Sequence, residues 1–201
     1  FGFGPNNPNV MLFAQVVEDT LVIFDEIYSI GQVSRTNIEL VFARLESEYG
    51  IEVHRSLQAD GRVIYSTPQQ ELYYVCDPAG LTEIQERRDA GINVMEPLLD
   101  RSYYQLANRI PVVRKKVADR SLQLSPNCVK LIEELQSYRF KKNADGQYTD
   151  TPEKKDDHGP DALGYGCLIL FSVLARAQVG APEEERRGTK PLTAGLLNKT
   201  F

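Results

Sequence analysis

The sequence predicts an α/β domain whose mixed sheet opens with three antiparallel strands, continues with parallel ones and is flanked by helices. Three observations carry that expectation. Residues 9–18 (NVMLFAQVVE) and 20–28 (TLVIFDEIY) are β-rich runs with little more than Asp19 between them, a hairpin signal. The run Leu72-Tyr73-Tyr74-Val75-Cys76 is apolar on both faces, as a strand buried within a parallel sheet must be. Segments of helical spacing alternate with these runs and stop at glycine or proline. At 201 residues, one such domain buries most of its apolar surface without a metal or a disulfide. Its 42% hydrophobic and 25% charged residues exclude the disordered and fibrous classes.

Each element follows in chain order. Phe1-Gly2-Phe3-Gly4 reads as the end of a strand paired with the hairpin, completing the antiparallel set. Ser34 offers an N-cap to a helix carrying Ile38, Val41, Leu45 and Tyr49, closed by Gly50. Residues 58–67 are mixed in character, with a turn at Asp60-Gly61. The strand 72–76 stops at Asp77-Pro78, a helix runs over 81–90 to Gly91, and 92–97 extends again, a β-α-β unit. Residues 103–119 are helical but interrupted at Pro111, which is placed to start a second helix. Residues 122–124 are extended, and Asn127 offers a cap for a helix with Leu131, Ile132, Leu135 and Tyr138. Ala144-Asp145-Gly146 turns a hairpin over 140–151. A long apolar helix begins at Pro160 and ends the domain at 181, leaving 182–201 as a polar, flexible tail.

Several function classes fall away. The apolar stretch 162–175 is shorter than the roughly 20 residues of a bilayer span, so no membrane partner is expected. No charged-then-apolar leader opens the chain. Cys76, Cys128 and Cys167 are odd in number, far apart and in apolar contexts, which fits a reducing cytosol. No GxxxxGK[ST] motif is present, and Gly188-Thr189-Lys190 has the wrong order, so ATP hydrolysis by a P-loop is not expected. A net charge of −5 argues against a surface that grips nucleic acid all over. A local basic stripe, or an acidic centre that meets DNA through metal ions, remains open.

Two carboxylates stand out. Asp77 ends the buried strand, where open α/β sheets place ligands, although it equally suits a cap for the turn Asp77-Pro78-Ala79-Gly80. In His158-Gly159-Pro160-Asp161, Pro160 suits a first helical turn and puts Asp161 within it. Ala162, Gly164 and Gly166 let that helix approach the sheet. Taken alone, this is an acidic helix start with His158 as its cap. Taken together, a strand-end Asp and a helix-start Asp at one sheet edge match the need of a two-metal phosphodiesterase. Oxygen ligands suit Mg²⁺ and Mn²⁺, and a pair of ions activates water and stabilises the leaving oxygen.

These residues also carry a resemblance. Tyr74-Val75-Cys76-Asp77-Pro78-Ala79-Gly80, Ser125-Pro126-Asn127-Cys128 with Leu131-Ile132-Glu133-Glu134-Leu135, and above all Asp157-His158-Gly159-Pro160-Asp161-Ala162-Leu163-Gly164-Tyr165 resemble the nuclease domain of viral large terminase subunits. The last stretch is close to that family's DHxxDAxRY signature. The resemblance implies a ribonuclease H-like fold that cuts concatenated double-stranded viral DNA with two Mg²⁺ or Mn²⁺ ions held by acids. It implies the terminase ATPase domain, the small terminase subunit and the portal as partners, and the host cell cytoplasm as location. Position by position, Asp77 matches the second-motif acid, Asp161 the third-motif acid and His158 the histidine beside it. The first-motif Asp would directly precede Phe1, and Gly164 stands where the family has Arg.

The remaining candidates weigh less. Asp157 reads as a spare metal ligand or a helix-dipole partner. Asp25 and Glu26 face opposite ways on one strand, with Glu26 expected toward solvent. The basic runs holding Lys115 and Lys116, Lys141 and Lys142, and Lys154-Lys155 each read first as a solvated face. The hairpin with Lys141 and Lys142 is the best candidate to grip DNA backbone. Two rival readings stay open: another ribonuclease H-like nuclease or resolvase, and a non-catalytic docking module for a portal or partner.

Overall fold

The computed structural model describes residues 8–69, 71–95 and 105–180, with side chains through residue 170. The strand expected at Phe1-Gly2-Phe3-Gly4 and the tail expected over 182–201 lie outside the described residues.

Among the described residues the fold is α/β, a mixed sheet flanked by five helices. Strands β1 (Pro8–Val17) and β2 (Thr20–Ile30) form the antiparallel hairpin, and β7 (Leu122–Leu124) joins β2 in parallel. The parallel strand beside the hairpin is therefore β7, not the run ending at Asp77. That run is β5 (Tyr73–Val75), which pairs in parallel with β6 (Asn93–Met95) across α2 (Leu81–Asp89). Two antiparallel hairpins stand apart, β3 (His54–Leu57) with β4 (Val63–Ser66), and β8 (Phe140–Lys142) with β9 (Tyr148–Pro152). The turn at Gly146, with φ of 78°, is the one expected from the sequence in the second of these.

Helix α1 (Ser34–Tyr49) covers one face of the hairpin through Ile38, Phe42 and Leu45 against Phe13. On the other face Leu21 and Ile23 pack with Cys128, just before α4 (Val129–Ser137), with Leu131 of α4, and with Leu163 and Cys167 of α5 (His158–Gly180). Helix α3 (Leu106–Ala118) lies against α5. The apolar stretch of α5 is thus core, and among the described residues no helix is long and apolar enough to cross a membrane.

Local signals fail in three places. Ser34 is the first residue of α1 rather than its cap, and its buried hydroxyl lacks a partner. Pro111 does not split α3, because in the second turn it removes only one helical hydrogen bond. Asn127 does not cap α4. Instead Glu26 reaches across from β2, and its two carboxylate oxygens accept the Lys130 and Leu131 amides at 2.6 and 2.9 Å. Glu26 therefore does not face solvent as expected. A register shift between Phe13 and Ala14 leaves Phe24 unpaired, a bulge that swings Glu26 and Tyr28 onto the face of Leu21 and Ile23.

An apolar cleft of about 500 Å³ separates β1 from β5. It is lined by every residue over 9–16 and 71–77. Side chains alternate across a strand, so consecutive lining residues mean that two backbone edges face each other. Among the described residues neither edge carries a strand on that side.

Glu26→Ala leaves two first-turn amides of α4 without their acceptor and should cost about 1–2 kcal/mol, the range of a lost helix cap. Urea unfolding would show the lower midpoint, with Glu26→Gln losing less.

Candidate active site

The site is built on the amide end of α5. The Asp157 carbonyl accepts the first helical hydrogen bond from the Asp161 amide at 2.9 Å, which makes Asp157 the N-cap and puts Pro160 where its missing N–H costs nothing. The Gly159 amide donates to Glu134 Oε2 of α4 at 2.6 Å, and Tyr28 Oη donates to the same oxygen at 3.2 Å. A side chain at Gly159 would collide with Tyr28 Oη and come within 2.8 Å of Glu134 Oε2. Burial, then the Glu134 charge, holds the Tyr28 phenol well above its ordinary range, so it stays a donor.

Asp161, in the first turn, is held by two cations. Its Oδ1 accepts from Arg109 Nη1 of α3 at 3.0 Å, and its carbonyl accepts from the same nitrogen at 3.3 Å. Its Oδ2 lies 3.6 Å from Lys154 Nζ, which also bonds Asp157 Oδ2 at 3.0 Å. Burial opposes the Lys154 charge, yet the bond to Asp157 and the field of Asp161 outweigh it and raise its pKa. The Arg109 guanidinium stacks over the Tyr165 ring at 3.9 Å. Gly164 makes room for it, since a Cβ there would stand 3.2 Å from Arg109 Cβ.

Tyr165, one turn beyond Asp161, links it to Asp77. Burial pushes the Tyr165 phenol up to about 12, Arg109 opposes, and Asp77 and Asp161 add to the rise, Asp77 also through a hydrogen bond. Asp77 Oδ1 also accepts the Ala79 amide at 2.8 Å. The one carboxyl thus both caps its turn and meets Tyr165. The Tyr138 phenol, at the end of α4, is raised by burial and then by Asp161 and Asp157.

Asp77 and Asp161 thus both act on the Tyr165 phenol, Asp157 and Asp161 share Lys154, and His158 sits half-buried in the same helical turn as Asp161. Of the basic candidates, Lys154 joins them, whereas the other two runs are occupied differently. Lys141 and Lys142 are exposed on β8, with Lys142 Nζ 4.8 Å above the Tyr148 ring. Lys115 pairs with Asp119 at 2.7 Å on α3, and Lys116 lies on the same turn. Asp25 is buried toward α1, 3.6 Å from Arg44. Among the described residues no three His, Cys, Asp or Glu side chains form a cluster able to hold a metal ion as they stand. Arg109, Tyr138 and the seating role of Glu134 are not visible in the sequence, because nothing local distinguishes a buried helix arginine from a solvated one.

No protein-family model and no curated protein matches the chain. Among solved structures it superposes on the large terminase of a thermophilic bacteriophage in complex with ADP, with TM-score 0.62 and 16% identity over 85% of this chain. A second crystal form of that terminase gives 0.59 at 16% identity over 86% of this chain. The nuclease domain of the g2p large terminase of bacteriophage SPP1, with bound Mn, gives TM-score 0.57 and 11% identity over 86% of this chain and 82% of that domain.

The chain has the fold of a large-terminase nuclease domain. That fold is ribonuclease H-like, as the resemblance implied. The chain spans 38% of the length of the thermophilic phage's terminase.

Gly159→Ala should destabilise the protein by about 1–3 kcal/mol, the usual cost of overpacking a close contact. Thermal unfolding would report it, and Tyr28→Phe in the same background should recover part of the loss by removing the colliding hydroxyl.

Proposed function

We propose that this chain is a divalent-metal-dependent endonuclease domain that cuts concatemeric double-stranded viral DNA during genome packaging in the host cell cytoplasm. The reading is carried by the fold shared with terminase nuclease domains, on which the charges of Asp77 and Asp161 both reach the Tyr165 phenol. The ATPase domain and small subunit of a terminase, and a portal, are the partners this reading implies.

The donor set fits hard cations. Asp77, Asp161 and Asp157 would hold Mg²⁺ or Mn²⁺, two ions in all, and the Lys154 ammonium between Asp157 and Asp161 marks where positive charge is favoured. Bound there, the ions supply activation of water and stabilisation of the leaving oxygen. Arg109 fixes Asp161 Oδ1 and leaves Oδ2 as the donor toward the ions. Tyr165 orients Asp77, and His158 orients a ligand or the water from the same helical turn. The cleft between β1 and β5 offers room for one further strand, and Asp77 is among its lining residues. A strand laid there would be placed to bring a further carboxylate, the first-motif acid that the resemblance implies, toward Asp77. Lys141 and Lys142, exposed on the β8–β9 hairpin, suit sequence-independent phosphate contacts.

Plasmid digestion with Mn²⁺ tests the reading. In a form of the chain extended upstream of Phe1, Asp77→Asn and Asp161→Asn should each abolish cutting while circular dichroism stays unchanged, and His158→Ala should be milder. Digestion at the parent rate by either Asn variant removes that residue from the site. Residues 1–201 alone should cut poorly. Extension with the expected Asp should raise the rate by orders of magnitude and extension with Ala in its place should not.

Neutralising Lys141 and Lys142 should lower DNA affinity and its dependence on salt without changing the metal requirement. An unchanged salt slope returns them to the solvated surface.

A further inference from the structure

Asp161 lies between two cations of very different burial. The Arg109 side chain is 7% exposed, stacked on Tyr165 and packed across Gly164. The Lys154 side chain is 61% exposed, in the short connection between β9 and α5. The carboxylates that Lys154 bridges are themselves only 11% and 20% exposed. Two such acids, one turn apart and largely removed from water, repel each other, and a cation between them offsets that repulsion.

The two cations also engage different atoms. Arg109 holds Oδ1 of Asp161, whereas Lys154 holds Oδ2 of Asp161 and Oδ2 of Asp157. An ammonium on a flexible, exposed stem is weakly held. A divalent ion brings twice the charge and binds carboxylate oxygens directly, so the two cannot share the same oxygens.

We propose that Lys154 is a resident counter-cation for Asp157 and Asp161 that a divalent metal ion displaces. Arg109, buried and fixed, keeps Asp161 in place through the exchange. The proposal rests on the reading that Asp161 is a metal ligand. It adds that the protein sets its own metal affinity through an exposed lysine that competes for the ligand oxygens.

Calorimetric titration of the whole chain with MnCl₂ tests this without relying on nuclease activity. Lys154→Met removes the competitor and should bind Mn²⁺ roughly two- to five-fold more tightly, on the scale of one weak ion pair. Lys154→Arg keeps the charge and should stay near the parent. Asp161→Asn should lose most of the binding. Unchanged binding in Asp161→Asn overturns the ligand assignment itself. Lost binding in Asp161→Asn with unchanged or weaker binding in Lys154→Met overturns only the displacement. Absence of binding in both the parent and Lys154→Met overturns the two together. Lys154 is exposed, so Lys154→Met should fold as the parent does, which circular dichroism checks.

Discussion

Glu26 and Tyr28 occupy alternate positions on β2, and through them one strand seats the amide ends of two helices. Glu26 takes two amides of α4 directly. Tyr28 acts through Glu134 of α4, whose Oε2 takes the Gly159 amide of α5. The chain of contacts runs from the central hairpin to α4 and then to α5, so the start of α5 is positioned by the sheet rather than by its own sequence. Asp157, His158 and Asp161 all lie at that start. The bulge at Phe24 sets the arrangement up, because without the parity change Glu26 and Tyr28 would face α1.

The charge at the site is balanced by unequal partners. Asp157 and Asp161 stand together at the start of α5, and the cations that meet them come from other elements. Arg109 arrives from α3 and fits because Gly164 lacks a side chain. Gly164 stands where the resemblance expects an arginine, and a guanidinium from another helix fills the space above it. Lys154 arrives from the connection after β9, beside a hairpin whose lysines face solvent.

Much of the candidate site is named from the sequence because its signals are local. Asp77 follows a run apolar on both faces, and Asp161 follows a proline in a first helical turn; both patterns lie within a few residues. The turn-capping alternative for Asp77 holds as well, since Oδ1 caps Ala79 while the phenol of Tyr165 bonds the same carboxyl. Strand alternation misplaces Glu26 because it holds only until a bulge interrupts it, and no residue type announces this one. Capping chemistry misleads at Asn127 and Ser34 because a residue able to cap need not be the one that does.

By itself the sequence determined the α/β class, the order of most elements, the strand-end and helix-start acids, the turn at Asp60-Gly61 and the hairpin turn at Asp145-Gly146. Periodicity and turn chemistry act over short stretches, so they survive in a linear reading. Only the tertiary structure decided which strand joins the hairpin, that Glu26 and Glu134 accept the first amides of two helices, that Arg109 is buried against Asp161, and that Lys154 stands between two acids. Each of those depends on elements meeting in space, where the energy is set by burial and by distances that no local pattern encodes.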